Sequence, residues 1–139
     1  MKIIDTNILN KFIRDERSFD SSDEFFITEE LKDEIEILKS LSPNYRNKIQ
    51  RIKFIDIQKD SFDEVKYLEN YKTFLNKYNN IVSFYGLKGL GDISIMASIA
   101  TILQTQRTLF DDGYIEVVTA DGDLKEALKG EFSDKIIIR

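Results

Sequence analysis

Short apolar runs alternate along the chain with longer segments whose apolar residues recur at helical spacing. Lys2–Asp5 reads as a short buried strand, because β-branched residues run there without polar alternation. Thr6 to about Asp15 reads as a helix with Ile8, Leu9, Phe12 and Ile13 on one face. Phe25–Ile27 predicts a second strand. Thr28 then caps a helix carrying Leu31, Ile35 and Leu38 at helical spacing. Ser42-Pro43 marks the start of a short helix, and Ile52–Ile57 predicts a third strand. Ser61 and Glu64 form a capping-box pattern. It opens a long helix to about Asn79, with Phe62, Val65, Leu68, Tyr71, Leu75 and Tyr78 as its stripe. The Gly-rich stretch Gly86–Gly91 precedes Asp92 and a helix, Ile93 to about Gln104, apolar on most of its circumference. Such a helix is packed on several sides. Ile115–Thr119 predicts a fourth strand. Asp123 and Glu126 repeat the capping pattern, and Lys135–Arg139 closes the chain as a strand.

Strands alternating with helices predict an α/β protein: a three-layer α/β/α sandwich around a central, mainly parallel sheet. The 139 residues suit one domain, 1–139. A hydrophobic share of 42% fills a core, so the chain belongs with folded rather than disordered sequences. No apolar run reaches the length of roughly 20 residues that a membrane span needs. The expected location is the cytoplasm, with no membrane partner.

Chemistry is bounded by two absences: the chain has no His and no Cys. A Ser–His–Asp triad, a Cys nucleophile and the usual zinc sites are thereby excluded. The Gly86–Gly91 stretch lacks the Gly-Lys-Ser/Thr tail of a phosphate-binding loop. What remains is carboxylates at strand ends and helix starts: Asp5, Asp92 and Asp121, with Glu34 one turn inside a helix. In open parallel sheets, sites gather beyond the carboxyl ends of strands. Acids gathered there raise one another's pKa unless a cation lies between them. Oxygen ligands of this kind suit Mg²⁺ or Mn²⁺. Such an ion activates water and offsets charge on a phosphodiester. Each acid also has an ordinary reading. Asp5 and Asp123 are good helix caps, Asp92 favours a helix macrodipole, and Glu34 suits an exposed helix face. The net charge of −5 disfavours binding nucleic acid by bulk positive charge.

Four segments, in order along nearly the whole chain, resemble the motifs of PIN-domain ribonucleases. They are Ile3-Ile4-Asp5-Thr6-Asn7-Ile8-Leu9; Thr28-Glu29-Glu30-Leu31-Lys32-Asp33-Glu34-Ile35; Gly89-Leu90-Gly91-Asp92-Ile93-Ser94-Ile95-Met96-Ala97; and Val117-Val118-Thr119-Ala120-Asp121-Gly122-Asp123-Leu124. The resemblance implies a PIN-like fold and a metal-dependent endoribonuclease. Asp5, Glu34, Asp92 and Asp121 would be its catalytic acids. Asp5, Asp92, Asp121 and Asp123 would be the metal ligands for Mg²⁺ or Mn²⁺. Thr6, Asn7 and Thr119 would support them. In the second segment Glu30 competes with Glu34, because the two share a helix face. Position 120 is Ala where relatives often carry Asp or Asn. The length and the long central helix resemble two branches, the VapC-type toxins of toxin–antitoxin pairs and ribosomal-RNA-processing PIN domains. The partners so implied are RNA, an antitoxin protein and a second copy of the chain.

Arg14, Arg46 and Lys48 are the candidate phosphate contacts. Two other classes compete with the nuclease. One is a PIN-fold RNA-binding module without catalysis. The other is a receiver-like signalling domain, with Asp56 as phosphoacceptor and Thr119 as switch hydroxyl.

Overall fold

The computed structural model describes residues 1–5, 7–9, 11, 24–41, 43–50, 52–58, 62–79, 90–105 and 115–139. Five strands are assigned there: β1 (Lys2–Ile4), β2 (Glu24–Ile27), β3 (Lys53–Asp56), β4 (Ile115–Val118) and β5 (Ile136–Ile138). The helices are α1 (Glu29–Leu41), α2 (Pro43–Ile49), α3 (Glu64–Lys77), α4 (Leu90–Thr105) and α5 (Gly122–Phe132), with a 3₁₀ turn at Ser133–Lys135. The strands form one sheet in the order β3-β2-β1-β4-β5, and every pairing is parallel. The expected α/β class is met, and the sheet is wholly rather than mainly parallel.

Parallel strands are covered on both sides, which accounts for their mainly apolar composition. Alternate side chains feed two separate cores. Ile3, Val117, Ile115 and Ile136 pack with Ile93, Met96 and Ile99 of α4, Phe74 of α3 and Leu124 and Leu128 of α5. Ile4, Phe25 and Ile27 pack with Leu31 and Ile35 of α1 and with Ile49. Helices therefore cover both faces, an arrangement compatible with a three-layer sandwich. No helix among the described residues is long and apolar enough to cross a membrane.

Several helix starts differ from expectation by a residue or two. Asp63 caps α3, its carboxylate accepting from the Lys66 amide at 3.0 Å; Glu64 is already helical, and Ser61 lies outside the described residues. Asp121, not Asp123, caps α5. Helix α4 begins at Leu90, so Asp92 sits inside its first turn rather than ahead of it. Thr28 caps α1 as expected, accepting from the Leu31 amide. The stripe of α3 is rotated from its expected phase. Tyr67 and Phe74 are its buried residues, whereas Val65 and Leu68 are 70% and 63% exposed.

Candidate metal and catalytic site

The sheet order fixes where a site can form. From β1 the chain moves to β2 and β3 on one side. It then crosses to β4 and β5 on the other. The crevice beyond the carboxyl ends of β1 and β4 is thus the switch point, the usual ligand position in an open parallel sheet. Asp5 follows β1 and Thr119 follows β4, and β1 and β4 pair directly. The Thr119 hydroxyl donates to Asp5 Oδ2 across that point. Asp5 Oδ1 accepts the Ile8 amide at 2.9 Å, and the Asp5 carbonyl accepts the Leu9 amide. The carboxylate therefore caps the helical turn that follows β1 and also faces the crevice. Both Asp5 and Thr119 are buried.

Asp121 and Asp123 reach the crevice through α5. Asp121 Oδ1 accepts the amides of Asp123 at 2.9 Å and Leu124 at 3.1 Å. Its own amide donates to Thr119 Oγ1 at 3.1 Å. Thr119 is therefore a hinge-pin between two acids, donating to one and accepting from the backbone of the other. Asp123, in the first turn of α5, is exposed.

Asp92 completes the group from α4. Burial, then the charges of Asp121, Asp5 and Asp123, push its carboxyl up to about 7. Burial likewise raises Asp5, with Asp121 adding to the rise, although the Thr119 and Ile8 donors oppose it. Four carboxylates from three separate segments thus feel one another in a partly desolvated crevice.

The second-motif acids divide. Glu30 lies in the first turn of α1, three residues beyond the end of β2, and accepts the Ser94 hydroxyl at 2.7 Å. Glu34 is exposed, one turn farther from the carboxyl edge. Helix α1 belongs to one core and α4 to the other, so the Glu30–Ser94 bond crosses over the carboxyl edge of the sheet. Ser94 is 200° around α4 from Asp92 at 100° per residue, and Asp92 feels the three aspartates rather than Glu30. Glu30 therefore flanks the aspartate group from the β2 side. Tyr67 completes this flank, its hydroxyl 2.8 Å from Ser94 Oγ. Neither Ser94 nor Tyr67 is among the residues the sequence assigns to the site. The available signal was a pair of serines, Ser94 and Ser98, in a helix apolar on most of its circumference.

Other expected residues fall elsewhere. Asn7 is exposed at the start of the turn after β1; Thr6 and Arg14 lie outside the described residues. Arg46 and Lys48 are on α2. Only three residues separate Ile49 from Lys53, which pairs with Glu24 at the amino edge of the sheet. These two basic residues therefore sit toward the opposite edge from the acids and are not brought to them. Asp56 ends β3, the edge strand, with β2 between it and β1. It accepts the Gln58 amide at 2.9 Å and pairs with Lys32 at 3.6 Å. A receiver places its third strand beside the first, so this strand order argues against that reading.

The donor set suits a hard divalent cation: it offers oxygen ligands only, and burial together with the neighbouring aspartates pushes the Asp92 carboxyl up to about 7. Among the described residues no group of three is gathered closely enough to hold a metal ion. Two acids are turned toward their own helix starts, Asp5 to the Ile8 amide and Asp121 to those of Asp123 and Leu124. Like charges also repel when no cation lies between them.

Comparison with protein-family models, with curated proteins and with solved structures gives no match to this chain.

Proposed function

We propose that this chain is a PIN-like, metal-dependent endoribonuclease that hydrolyses RNA phosphodiester bonds. The observation that carries the reading is the group at the β1–β4 switch point. Asp5 is fastened to Thr119 there, and Asp92 is held near neutrality by burial and by Asp121, Asp5 and Asp123. An anionic crevice of this kind has no evident use for RNA until a cation reverses its sign. Asp5, Asp92 and Asp121 would hold Mg²⁺ or Mn²⁺, with Asp123 at the rim. The bound ion would supply an activated water and offset charge on the phosphate.

The protein's own groups do the rest. Thr119 fixes the direction of the Asp5 carboxylate by donating to Oδ2, leaving Oδ1 on the helix start. Asp92 would serve as a ligand only after losing its proton, which would couple cation binding to proton release. Glu30 closes the crevice on the β2 side. RNA is the expected partner in a cytoplasmic setting, with an antitoxin protein and a second copy of the chain as further expected partners.

The test is cleavage of a mixed single-stranded and hairpin RNA in millimolar Mn²⁺ or Mg²⁺. Wild type is expected to cut internally and to stop on chelation, and Asp5→Asn to be inactive while remaining folded. RNA binding without cutting by the metal-loaded wild type would favour a non-catalytic RNA-binding module instead.

A further inference from the structure

Helix α4 carries four hydroxyl residues, Ser94, Ser98, Thr101 and Thr105, and the three whose hydroxyls donate can be compared directly. Thr101 donates to the Ala97 carbonyl and Thr105 to the Thr101 carbonyl, both at 2.7 Å. This is the usual fate of a hydroxyl inside a helix, bonding back one turn. Ser94 does something else. Fully buried, it gives its single proton to Glu30 on a helix of the opposite layer. Because that proton is spent, the Tyr67 hydroxyl must be the donor in the Tyr67–Ser94 pair. A directed chain results: Tyr67 to Ser94 to Glu30, running from α3 through α4 to α1. Its end is a carboxylate three residues beyond β2, the strand next to β1 and hence to Asp5.

We propose that Ser94 is a positioning residue that fixes Glu30, rather than Glu34, as the acid that α1 adds to the crevice. This rests on the nuclease reading above. Glu30 is a long side chain at a helix start; unbound, it would sample several rotamers in water. The buried hydroxyl selects the one that leans over the sheet edge. Tyr67, itself held in the core beside Phe62 and Tyr71 at ring separations of 5.5 and 5.9 Å, keeps the serine rotor pointed that way. Glu34 is exposed on the next turn of α1.

The experiment is a double-mutant cycle on Mn²⁺-dependent RNA cleavage, with kcat and KM separated. Glu30→Gln is expected to lower kcat about a hundredfold, at least ten times the loss in Glu34→Gln. Ser94→Ala is expected to lower kcat about tenfold, as for groups that orient a ligand through one bond, with KM within twofold. In a Glu30→Gln background Ser94→Ala is expected to cost less than twofold, because the group it orients is gone. Tyr67→Phe, which leaves the core filled, is expected to repeat the pattern at about threefold. A merely structural serine would cost the same in both backgrounds and would track the loss of thermal stability. Equal costs in the two backgrounds, or a loss confined to Glu34→Gln, overturns the inference while the nuclease reading stands. A wild type that does not cut RNA sinks both.

Discussion

Asp5 and Asp56 occupy equivalent local positions. Each follows or ends a parallel strand, and each accepts a backbone amide just beyond it. Their surroundings differ because of where the strands lie. Asp56 is on the outer strand β3 and its charge is answered by Lys32. Asp5 is between β1 and β4, buried, with Thr119 as donor and Asp121 raising its pKa further. The same local motif is a finished turn at the sheet edge and an incomplete electrostatic arrangement at the switch point. Strand order, not the residue, makes the difference.

The sharpest way to break this contrast is to remove one charge at each place. Asp5→Asn keeps an acceptor for the Ile8 amide, and is expected to lower Mn²⁺-dependent RNA cleavage on the order of a thousandfold. Asp56→Asn is expected to stay within twofold. Comparable losses from both would mean that the switch point has no special role.

A second contrast uses pH. Asp92 keeps its proton up to about pH 7 in the folded chain, against an ordinary aspartate value of 3.8. Between those values the folded state binds more protons than the unfolded one, so stability falls as pH rises. The penalty is absent below about pH 4 and complete above about pH 7, and amounts to at most about 4 kcal/mol. Urea denaturation in chelator should show that slope, and Asp92→Asn should flatten it. Millimolar Mn²⁺ should raise the melting temperature more at pH 8 than at pH 5. A metal-free stability that rises over this range would contradict the arrangement.

The bond that joins the two strands at the switch point can be cut alone. Thr119→Val keeps the shape but leaves Asp5 Oδ2 without its donor. The expected cost is about 2 kcal/mol of stability, as for a hydrogen bond to a charged group. Cleavage should fall roughly ten- to a hundredfold, as when a group behind a ligand is lost. Full activity with full stability would show that Thr119 does not orient Asp5.

Much of this architecture was legible in the residues, for a physical reason. Buried parallel strands carry apolar runs, and Lys2–Ile4, Glu24–Ile27 and Ile115–Val118 stood out against the helical stripes around them. Asp5, Asp92 and Asp121 were legible as acids at strand ends and helix starts. Helix caps were less so: Asp63 and Asp121 lie two residues from Ser61 and Asp123, and either member of each pair fits a cap. On α3 the exposed Val65 and Leu68 mimic a core stripe. The buried face is instead set by Tyr67 and Phe74 against α4 and α5. Ser94 was not legible at all, since its direction depends on which helices pack against α4.

The smallest expected effect compares two helix caps. Asp63 and Asp121 do the same local work, accepting amides at the starts of α3 and α5. Removing such a cap costs about 1 kcal/mol, and Asp63→Ala should lose about that at both pH 5 and pH 8. Asp121→Ala loses the same bonds but also removes a charge that raises both Asp92 and Asp5. At pH 8, without metal, the relief should offset most of the lost cap, leaving a net change of about 0.5 kcal/mol or less. At pH 5 Asp92 is already protonated, less repulsion remains to relieve, and the Asp121 loss should approach that of Asp63. Mn²⁺ should widen the gap in the other direction at pH 8, since a ligand rather than a surplus charge has then been deleted. Urea midpoints for the two variants at both pH values, with and without Mn²⁺, separate these terms. Losses at Asp121 that match Asp63 under every condition would mean that Asp121 is a cap and nothing more.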